Sequence, residues 1–156
     1  MIIICDLDGT LFNIQHRLHH IAKHNSDGTK RKRDWVAFEG AVLQDTPNKA
    51  VVEIVVSMHR AGHSLVFVSG RHERTRQSSN YMIQQALGQH TPDNIIYMRR
   101  DDDNRADYTV KQEIFDIYFS GDRAKDILFC LDDRQQVVDM WRRNGLTCLQ
   151  VAEGNF

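Results

Sequence analysis

Proline and cysteine are scarce in this chain, and none of its apolar runs is long. The 156 residues include two prolines and three cysteines, and 41% of them are hydrophobic. This composition is typical of a globular protein and excludes a proline-rich disordered one. A membrane span needs about 20 apolar residues, which no run supplies, so we expect no membrane partner. The first apolar run has no basic residues before it and is too short for a signal peptide, which predicts a cytoplasmic location.

The three cysteines fit neither a disulfide framework nor a zinc site. Cys5, Cys130 and Cys148 are odd in number, and their spacing matches no zinc signature. Each lies in a strand-like apolar run. We therefore expect buried free thiols in a reducing compartment.

Neither sign of charge dominates the sequence. Twenty Lys and Arg residues face 21 Asp and Glu residues, for a net charge of −1. The overall charge therefore does not require a nucleic-acid partner, and any such binding must use a local patch. One basic run, Lys30-Arg31-Lys32-Arg33, is equally compatible with a solvated loop and with a patch that binds a phosphate backbone.

The most informative stretch is the N-terminal apolar run and the residues that follow it. Ile2 to Cys5 predict a buried parallel strand, because both faces of such a run need cover. Asp6 and Asp8 follow directly, where ligands bind in open α/β sheets. An Asp-Gly turn alone would explain Asp8 and Gly9 but not Asp6. A carboxylate at the end of a hydrophobic strand is costly unless it binds a cation or another partner.

Strand and helix patterns alternate along the rest of the chain. Four further strands are predicted at 64–68, 94–98, 126–131 and 146–151. Helices are predicted from Thr46-Pro47 to Gly62, from Glu73 to Leu87, from Val110 to Gly121, and from Val137 to Asn144-Gly145. This order predicts a single domain, residues 1–156, with a doubly wound five-stranded parallel sheet in the α/β class.

Residues 12–45, hereafter the flap, interrupt this alternation after the first strand. The segment is polar and predicts two short helices over the strand end. Its apolar face is expected to consist of Trp35, Phe38, Val42 and Leu43. For its four histidines, His16, His19, His20 and His24, a solvated helix face is favoured over metal binding, because no acidic or cysteine partner completes a site.

Polar residues follow three of the predicted strands. They are Asp6, Ser69 and the pair Asp132-Asp133. Right-handed crossovers bring the carboxyl ends of parallel strands to one edge of the sheet. We therefore expect these side chains to meet in one crevice.

Four motifs in sequence order resemble those of the haloacid-dehalogenase-like phosphatases. They are Asp6-Leu7-Asp8-Gly9-Thr10, Val66 to Arg71, the lone Lys111, and Leu131-Asp132-Asp133. The resemblance implies that Asp6 attacks phosphorus and forms an aspartyl-phosphate. Asp8 would protonate the leaving group and then take a proton from water.

A divalent cation is expected with this chemistry, because a dianionic phosphate repels a carboxylate nucleophile. Asp6, Asp133 and the backbone carbonyl of Asp8 are suitable hard oxygen ligands for Mg²⁺. Asp132 could bind the ion directly or through water. Lys111 could balance charge on Asp6 and on the phosphoryl oxygens.

Most of the chain after residue 46 is also similar to the 3′-phosphatase domain of bacteriophage polynucleotide kinase. The similar segments are 66–71, 110–115, 131–145 and 150–156. This resemblance implies a substrate site made by Thr10, Arg17, Ser69, Gly70, Arg71 and Asp107, in which the arginines bind the phosphate. No Gly-x-x-x-x-Gly-Lys-[Ser/Thr] loop occurs, so we expect a free-standing phosphatase domain.

Three functions are compatible with these residues. The favoured one is a Mg²⁺-dependent phosphatase acting on nucleic-acid 3′-phosphate ends, and the alternative is a nucleotidase for nucleoside monophosphates or another small phosphate ester. The third, a protein that only binds phosphorylated ends, is disfavoured by the intact Asp6, Asp8, Ser69, Lys111 and Asp133. Motifs fix the reaction and not the substrate, so the flap decides between the first two.

Overall fold

A five-stranded parallel sheet forms the centre of the computed structural model, which describes residues 1–92 and 96–154. The strands are β1 (Ile2–Cys5), β2 (Phe12–Asn13), β3 (Thr46–Pro47), β4 (Ser64–His72), β5 (Ile96–Arg99), β6 (Ile127–Asp132) and β7 (Cys148–Gln150). The α-helices are α1 (Trp35–Gly40), α2 (Lys49–Arg60), α3 (Arg76–Leu87), α4 (Asp107–Tyr118) and α5 (Gln135–Arg143).

The main sheet has the strand order β5-β4-β1-β6-β7 with every pairing parallel. β1 is central, and its last residue, Cys5, pairs with Phe67 of β4 and Leu131 of β6. Asp6, Ser69 and Asp132 therefore lie at the same edge of three adjacent strands. The predicted α/β class and five-stranded parallel sheet are confirmed.

The two faces of the sheet are covered by different helices. Successive side chains of a strand point to opposite faces: Ile3 packs in a core with α2 and α3, whereas Ile4 packs in a core with α4 and α5. Both isoleucines are at most 1% exposed. This two-sided cover explains why β1 is a continuous apolar run rather than an alternating one.

Some predicted boundaries differ from the structure. The prediction that a helix begins at Thr46-Pro47 is wrong. These two residues form β3, which pairs antiparallel with β2 in a separate two-stranded sheet. The helix α2 begins at Lys49. The third strand is described from Ile96, and its predicted first residues, 94 and 95, lie outside the described residues. The helix predicted to end at Gly121 ends at Tyr118, and a 3₁₀ helix covers Gly121–Asp126.

Two predicted buried stripes are also partly wrong. Helical spacing of Val110, Ile114, Ile117 and Tyr118 predicts the buried side of α4. The structure instead buries Val110, Lys111, Ile114 and Phe115, whereas Ile117 and Tyr118 are 60% and 41% exposed. In the flap, Phe38 and Val42 are buried as expected, but Trp35 and Leu43 are 44% and 59% exposed.

The flap contains α1 and two 3₁₀ helices, Gln15–His20 and Val42–Gln44. Cys5, Cys130 and Cys148 are buried free thiols, as predicted. Within residues 1–92 and 96–154, no helix has the length and apolar character that crossing a membrane requires.

Candidate active site

Asp6 and Lys111 form a buried ion pair at the carboxyl end of β1. The Nζ atom of Lys111 donates to Asp6 Oδ1 at 2.7 Å and to Asp132 Oδ2 at 2.9 Å. Burial would lower the pKa of Lys111, but the charges of Asp107, Asp132 and Asp6 outweigh it and raise that pKa well above its usual value. Lys111 is therefore a fixed cation that orients one oxygen of Asp6.

Three buried carboxylates meet beside this pair. Asp6, Asp132 and Asp133 each offer an oxygen within 4.8 Å of the others. Burial raises the pKa of Asp6 well above its usual value despite Lys111. Burial and the charge of Asp132 raise the pKa of Asp133 to about 6. Carboxylates crowded in this way resist ionisation unless a cation joins them, and their oxygens fit a hard divalent ion such as Mg²⁺.

Glycine at position 9 permits this crowding. Gly9 has a φ of +83°, and a Cβ atom there would stand 2.2 Å from Asp133 Oδ2. Only glycine adopts that backbone conformation freely and leaves room for the carboxylate. The Gly of the Asp-x-Asp-Gly motif thus lets the loop after β1 contact the end of β6.

Asp8 is bound by two arginines on one oxygen. Arg17 Nη2 and Arg71 Nε donate to Asp8 Oδ1 at 2.6 and 2.7 Å. Burial would raise the pKa of Asp8, but the charges and hydrogen bonds of Arg71 and Arg17 outweigh it and lower that pKa below its ordinary value. Asp8 is therefore a carboxylate in the free protein, and it can act as an acid only if the arginines shift to another anion.

Asp45 holds the same two arginines from the other side, and it was not among the predicted site residues. Its side chain is fully buried and accepts from Arg17 Nε at 2.7 Å, from Arg17 Nη2 at 2.8 Å and from Arg71 Nη2 at 2.6 Å. His16 Nε2 lies 2.8 Å from Asp45 Oδ1, so one flap histidine contacts an acidic side chain, although His16 is not part of the carboxylate group that could hold a metal ion. No local pattern singles out Asp45, because its role follows from the burial of Arg17 and Arg71, which only the fold shows.

The remaining predicted substrate residues lie close to these carboxylates, but two of them are fully buried and do not line the cavity. Ser69 is fully buried, and its Oγ accepts from the backbone N–H of Arg71 at 3.2 Å. Thr10 is also fully buried and donates through Oγ1 to Asp133 Oδ1 at 3.3 Å. A Cβ atom on Gly70 would stand 2.1 Å from Asp107 Oδ1, so this glycine lets Asp107 pack against β4.

Asp107 lies between basic groups. Its Oδ2 is 3.5 Å from Lys111 Nζ and 3.8 Å from Arg134 Nη1, and its Oδ1 is 3.6 Å from Arg99 Nη2. Asp107 thus contacts three basic groups and links the helix that carries Lys111 to the end of β5. Arg99 was not predicted, although it also donates from Nε to the carbonyl of Gly70 at 2.8 Å.

Some of these residues line a cavity of about 420 Å³, a size that suits a small organic ligand, whereas Lys111, Ser69 and Asp45 lie behind its wall. Asp6, Asp8 and Asp133 are among the lining residues. The arginines of the lining are Arg17, Arg33, Arg71, Arg74, Arg99, Arg105 and Arg134. Carboxylates beside so many guanidiniums suit an anionic ligand that arrives with a cation, as a phosphate ester does.

With this sheet, and with these carboxylates grouped at the ends of β1 and β6, the chain is a haloacid-dehalogenase-like phosphatase. The whole chain, residues 1–156, also matches the sequence model of the family described as the polynucleotide kinase PNKP phosphatase domain. The chain belongs to this family.

Similar proteins carry this domain within longer chains. A protein of Autographa californica nuclear polyhedrosis virus, named as a bifunctional polynucleotide kinase/RNA ligase, is 26% identical over 141 residues, which cover 90% of this chain and 17% of the viral one. A chain in the structure of the Pnkp1/Rnl/Hen1 RNA repair complex is 32% identical, with a TM-score of 0.77, over 99% of this chain and 43% of that one. A chain in a second structure of a Pnkp1/Rnl/Hen1 complex is 30% identical, with a TM-score of 0.74, over 99% of this chain and 46% of that one. The present chain thus spans less than half of each relative.

Proposed function

We propose that this chain removes the phosphate from 3′-phosphorylated nucleic-acid ends. The observation that carries the proposal is the position of Asp6. Lys111 holds one of its oxygens at 2.7 Å, and Asp6 lines the arginine-rich cavity together with Asp8. Membership of the polynucleotide kinase phosphatase family supports a polynucleotide end as the substrate.

In the proposed reaction Asp6 attacks phosphorus while the bond to the 3′ oxygen breaks. Asp8 gives a proton to that oxygen, which leaves as a hydroxyl, and the phosphoryl group stays on Asp6 as an aspartyl-phosphate. Water then attacks phosphorus, Asp8 takes its proton, and Asp6 is released. Arg17 and Arg71 would move from Asp8 to the phosphoryl oxygens, which restores the proton affinity that Asp8 needs.

Asp6, Asp133 and the backbone carbonyl of Asp8 would hold Mg²⁺ in this reaction. Asp132 is already engaged, because its Oδ2 accepts from Lys111 and its Oδ1 from the backbone N–H of Arg134 at 3.2 Å. Asp133 Oδ1 has one longer bond, from Thr10. Asp133 is therefore the better direct ligand, and Asp132 would act through water. When bound, the ion would neutralise the repulsion between the carboxylates and the phosphate dianion.

We also assign the flap to the same domain as the sheet. It supplies Arg17, which donates to Asp8, and Asp45, which accepts from Arg71 of β4. A site that takes charged groups from both parts would not form from the sheet alone.

The substrate is tested by phosphate release from a panel with Mg²⁺ present. The panel contains one oligonucleotide carrying a 3′-phosphate, the same oligonucleotide carrying a 5′-phosphate, and the 3′- and 5′-mononucleotides. We expect the highest kcat/KM for the 3′-phosphorylated oligonucleotide. The cavity of about 420 Å³ is also large enough for a free nucleotide, so equal or faster turnover of a mononucleotide would favour the nucleotidase.

A further inference from the structure

We propose that Trp35 stacks on the nucleobase of the 3′-terminal nucleotide while the phosphate occupies the carboxylate site. This inference rests on the proposed function. Trp35 was expected on the apolar face of the flap, yet 44% of it is exposed. It lines the same cavity as Asp6 and Asp8. A partly exposed indole ring beside a phosphate-binding cavity is a platform for the planar group that a nucleotide carries.

Contacts at both ends hold helix α1, which carries Trp35, in place. Before the ring, Asp34 caps the helix, since its Oδ1 accepts from the backbone N–H of Ala37 at 2.9 Å. Near the far end, Glu39 accepts from Arg74 Nε at 2.8 Å and contacts His72 Nδ1. A stacking platform fixed before binding loses little conformational entropy when the ligand arrives.

A short chain of contacts joins this ring to the reacting carboxylates. The Trp35 ring meets Phe38 edge to face, with centroids 5.7 Å apart. Arg17 Cζ lies 4.1 Å from the Phe38 centroid, and the same guanidinium donates to Asp8. One aromatic ring and one guanidinium thus link Trp35 to Asp8 along this path, so the indole and the reacting carboxylates belong to the same cavity wall.

The charges around Trp35 favour a nucleobase over other planar groups. Arg33 Cζ lies 5.8 Å from the Trp35 centroid, and Arg74 and Arg105 line the same cavity. Glu39 pairs with Arg74 and Asp103 with Arg105, so Arg33 is the cation nearest the ring that favours a planar group carried by an anion. A nucleotide joins a neutral aromatic base to a phosphate, and stacking accepts any base because each has a π face.

The test compares two 3′-phosphorylated oligonucleotides that differ only at the terminal nucleotide. One carries a normal base and the other a tetrahydrofuran abasic analogue. The proteins are the wild type, Trp35→Ala, the conservative Trp35→Phe, and Val36→Ala as a matched control. Val36 is 78% exposed, adjoins Trp35 and is absent from the cavity lining.

We expect the wild type to have a KM roughly 10-fold lower for the substrate with the base, the size of effect typical of one base–aromatic stack. Trp35→Ala should lose that difference with little change in kcat, Trp35→Phe should keep most of it, and Val36→Ala should keep all of it. These readouts separate a stacking role from a purely structural one, because instability would affect both substrates equally.

Equal KM values for the two substrates in the wild type would overturn the inference, and so would an unchanged ratio in Trp35→Ala. The wild-type comparison can still overturn the inference even if Trp35→Ala does not fold. A wild type that releases no phosphate from either oligonucleotide would instead contradict the proposed function.

Discussion

Asp45 accepts hydrogen bonds from Arg17 through both of its carboxylate oxygens, at 2.7 and 2.8 Å. Arg71 donates to the same carboxylate at 2.6 Å, and both arginines also reach Asp8. Two arginines are therefore shared between a carboxylate that faces the cavity and one that is fully buried. When a phosphate draws the arginines from Asp8, Asp45 would keep them in the site.

Asp45→Asn should weaken both the fold and substrate binding. The change leaves two buried guanidiniums with one charged partner, and breaking a buried ion pair costs about 3–5 kcal/mol. We expect a lower thermal unfolding temperature and a higher KM for a 3′-phosphorylated oligonucleotide. Asp27→Asn is the matched control, because Asp27 is an exposed aspartate of the same flap. If Asp45→Asn keeps the stability and the KM of the wild type, Asp45 does not hold the two arginines in the way proposed here.

Asp8→Asn should impair hydrolysis in a way that depends on the leaving group. A positioned proton donor contributes about 10²–10⁴-fold, so an oligonucleotide substrate should lose that much in kcat/KM. A p-nitrophenyl ester, whose leaving group needs no proton, should lose less in the first step. Equal losses for the two esters, when the first step limits the rate, would count against Asp8 as the acid.

Mg²⁺ should stabilise the protein strongly at pH 7.5 and hardly at pH 5. The pKa of Asp133 is raised to about 6 in the folded protein without metal, against about 3.9 for an unfolded aspartate. The metal-free fold therefore gains stability as the pH falls through 6, because it binds the proton more tightly than the unfolded chain does. Mg²⁺ competes with that proton, so its stabilising effect should fade over the same range.

Thermal unfolding with and without Mg²⁺ at the two pH values measures this effect. Asp133→Asn should abolish the Mg²⁺-dependent shift at pH 7.5, and excess chelator should abolish phosphate release by the wild type. An equal shift at both pH values, or full activity in chelator, would contradict the metal site.

The sheet and the carboxylate cluster could be predicted from the sequence because they rest on local patterns. Buried parallel strands read as apolar runs, and Asp6, Asp132 and Asp133 follow such runs directly. The topology rule then brings strand ends together. The structure places those three carboxylates within 4.8 Å of one another.

The flap could not be predicted as well because its contacts are non-local. Thr46-Pro47 has the residue types of a helix start, yet it pairs with Phe12 and Asn13, more than 30 residues earlier. Asp45 adjoins no motif and gains its importance from Arg17 and Arg71, which lie far from it in sequence. Trp35 was predicted on the apolar face of the flap, but α1 has only six residues and leaves Trp35 partly exposed.

The basic run should act on the polynucleotide and not on the reacting phosphate. Lys30, Arg31 and Lys32 are exposed and lie outside the cavity lining, unlike Arg33. If they contact upstream phosphates, replacing all three with Gln should raise the KM for a 3′-phosphorylated oligonucleotide. The slope of the logarithm of the binding constant against the logarithm of the salt concentration should then become shallower by about 0.7 per lost phosphate contact.

A 3′-mononucleotide, which has no upstream phosphate, is the control substrate and should be turned over normally by this variant. Kinetics on both substrates at two salt concentrations separate the outcomes. Equal effects on the two substrates, or none, would mean that the run is a solvated loop.

The central claim, that Asp6 carries the phosphoryl group, is tested most directly by trapping that group on the protein. A 3′-phosphorylated oligonucleotide with a radiolabelled terminal phosphate is mixed with excess enzyme and Mg²⁺ and quenched in acid, and the labelled peptide is mapped. We predict label on Asp6 in the wild type. Asp6→Asn should fold normally, bind no label and release no phosphate. Label on a different residue, or substantial phosphate release by Asp6→Asn, would contradict the account.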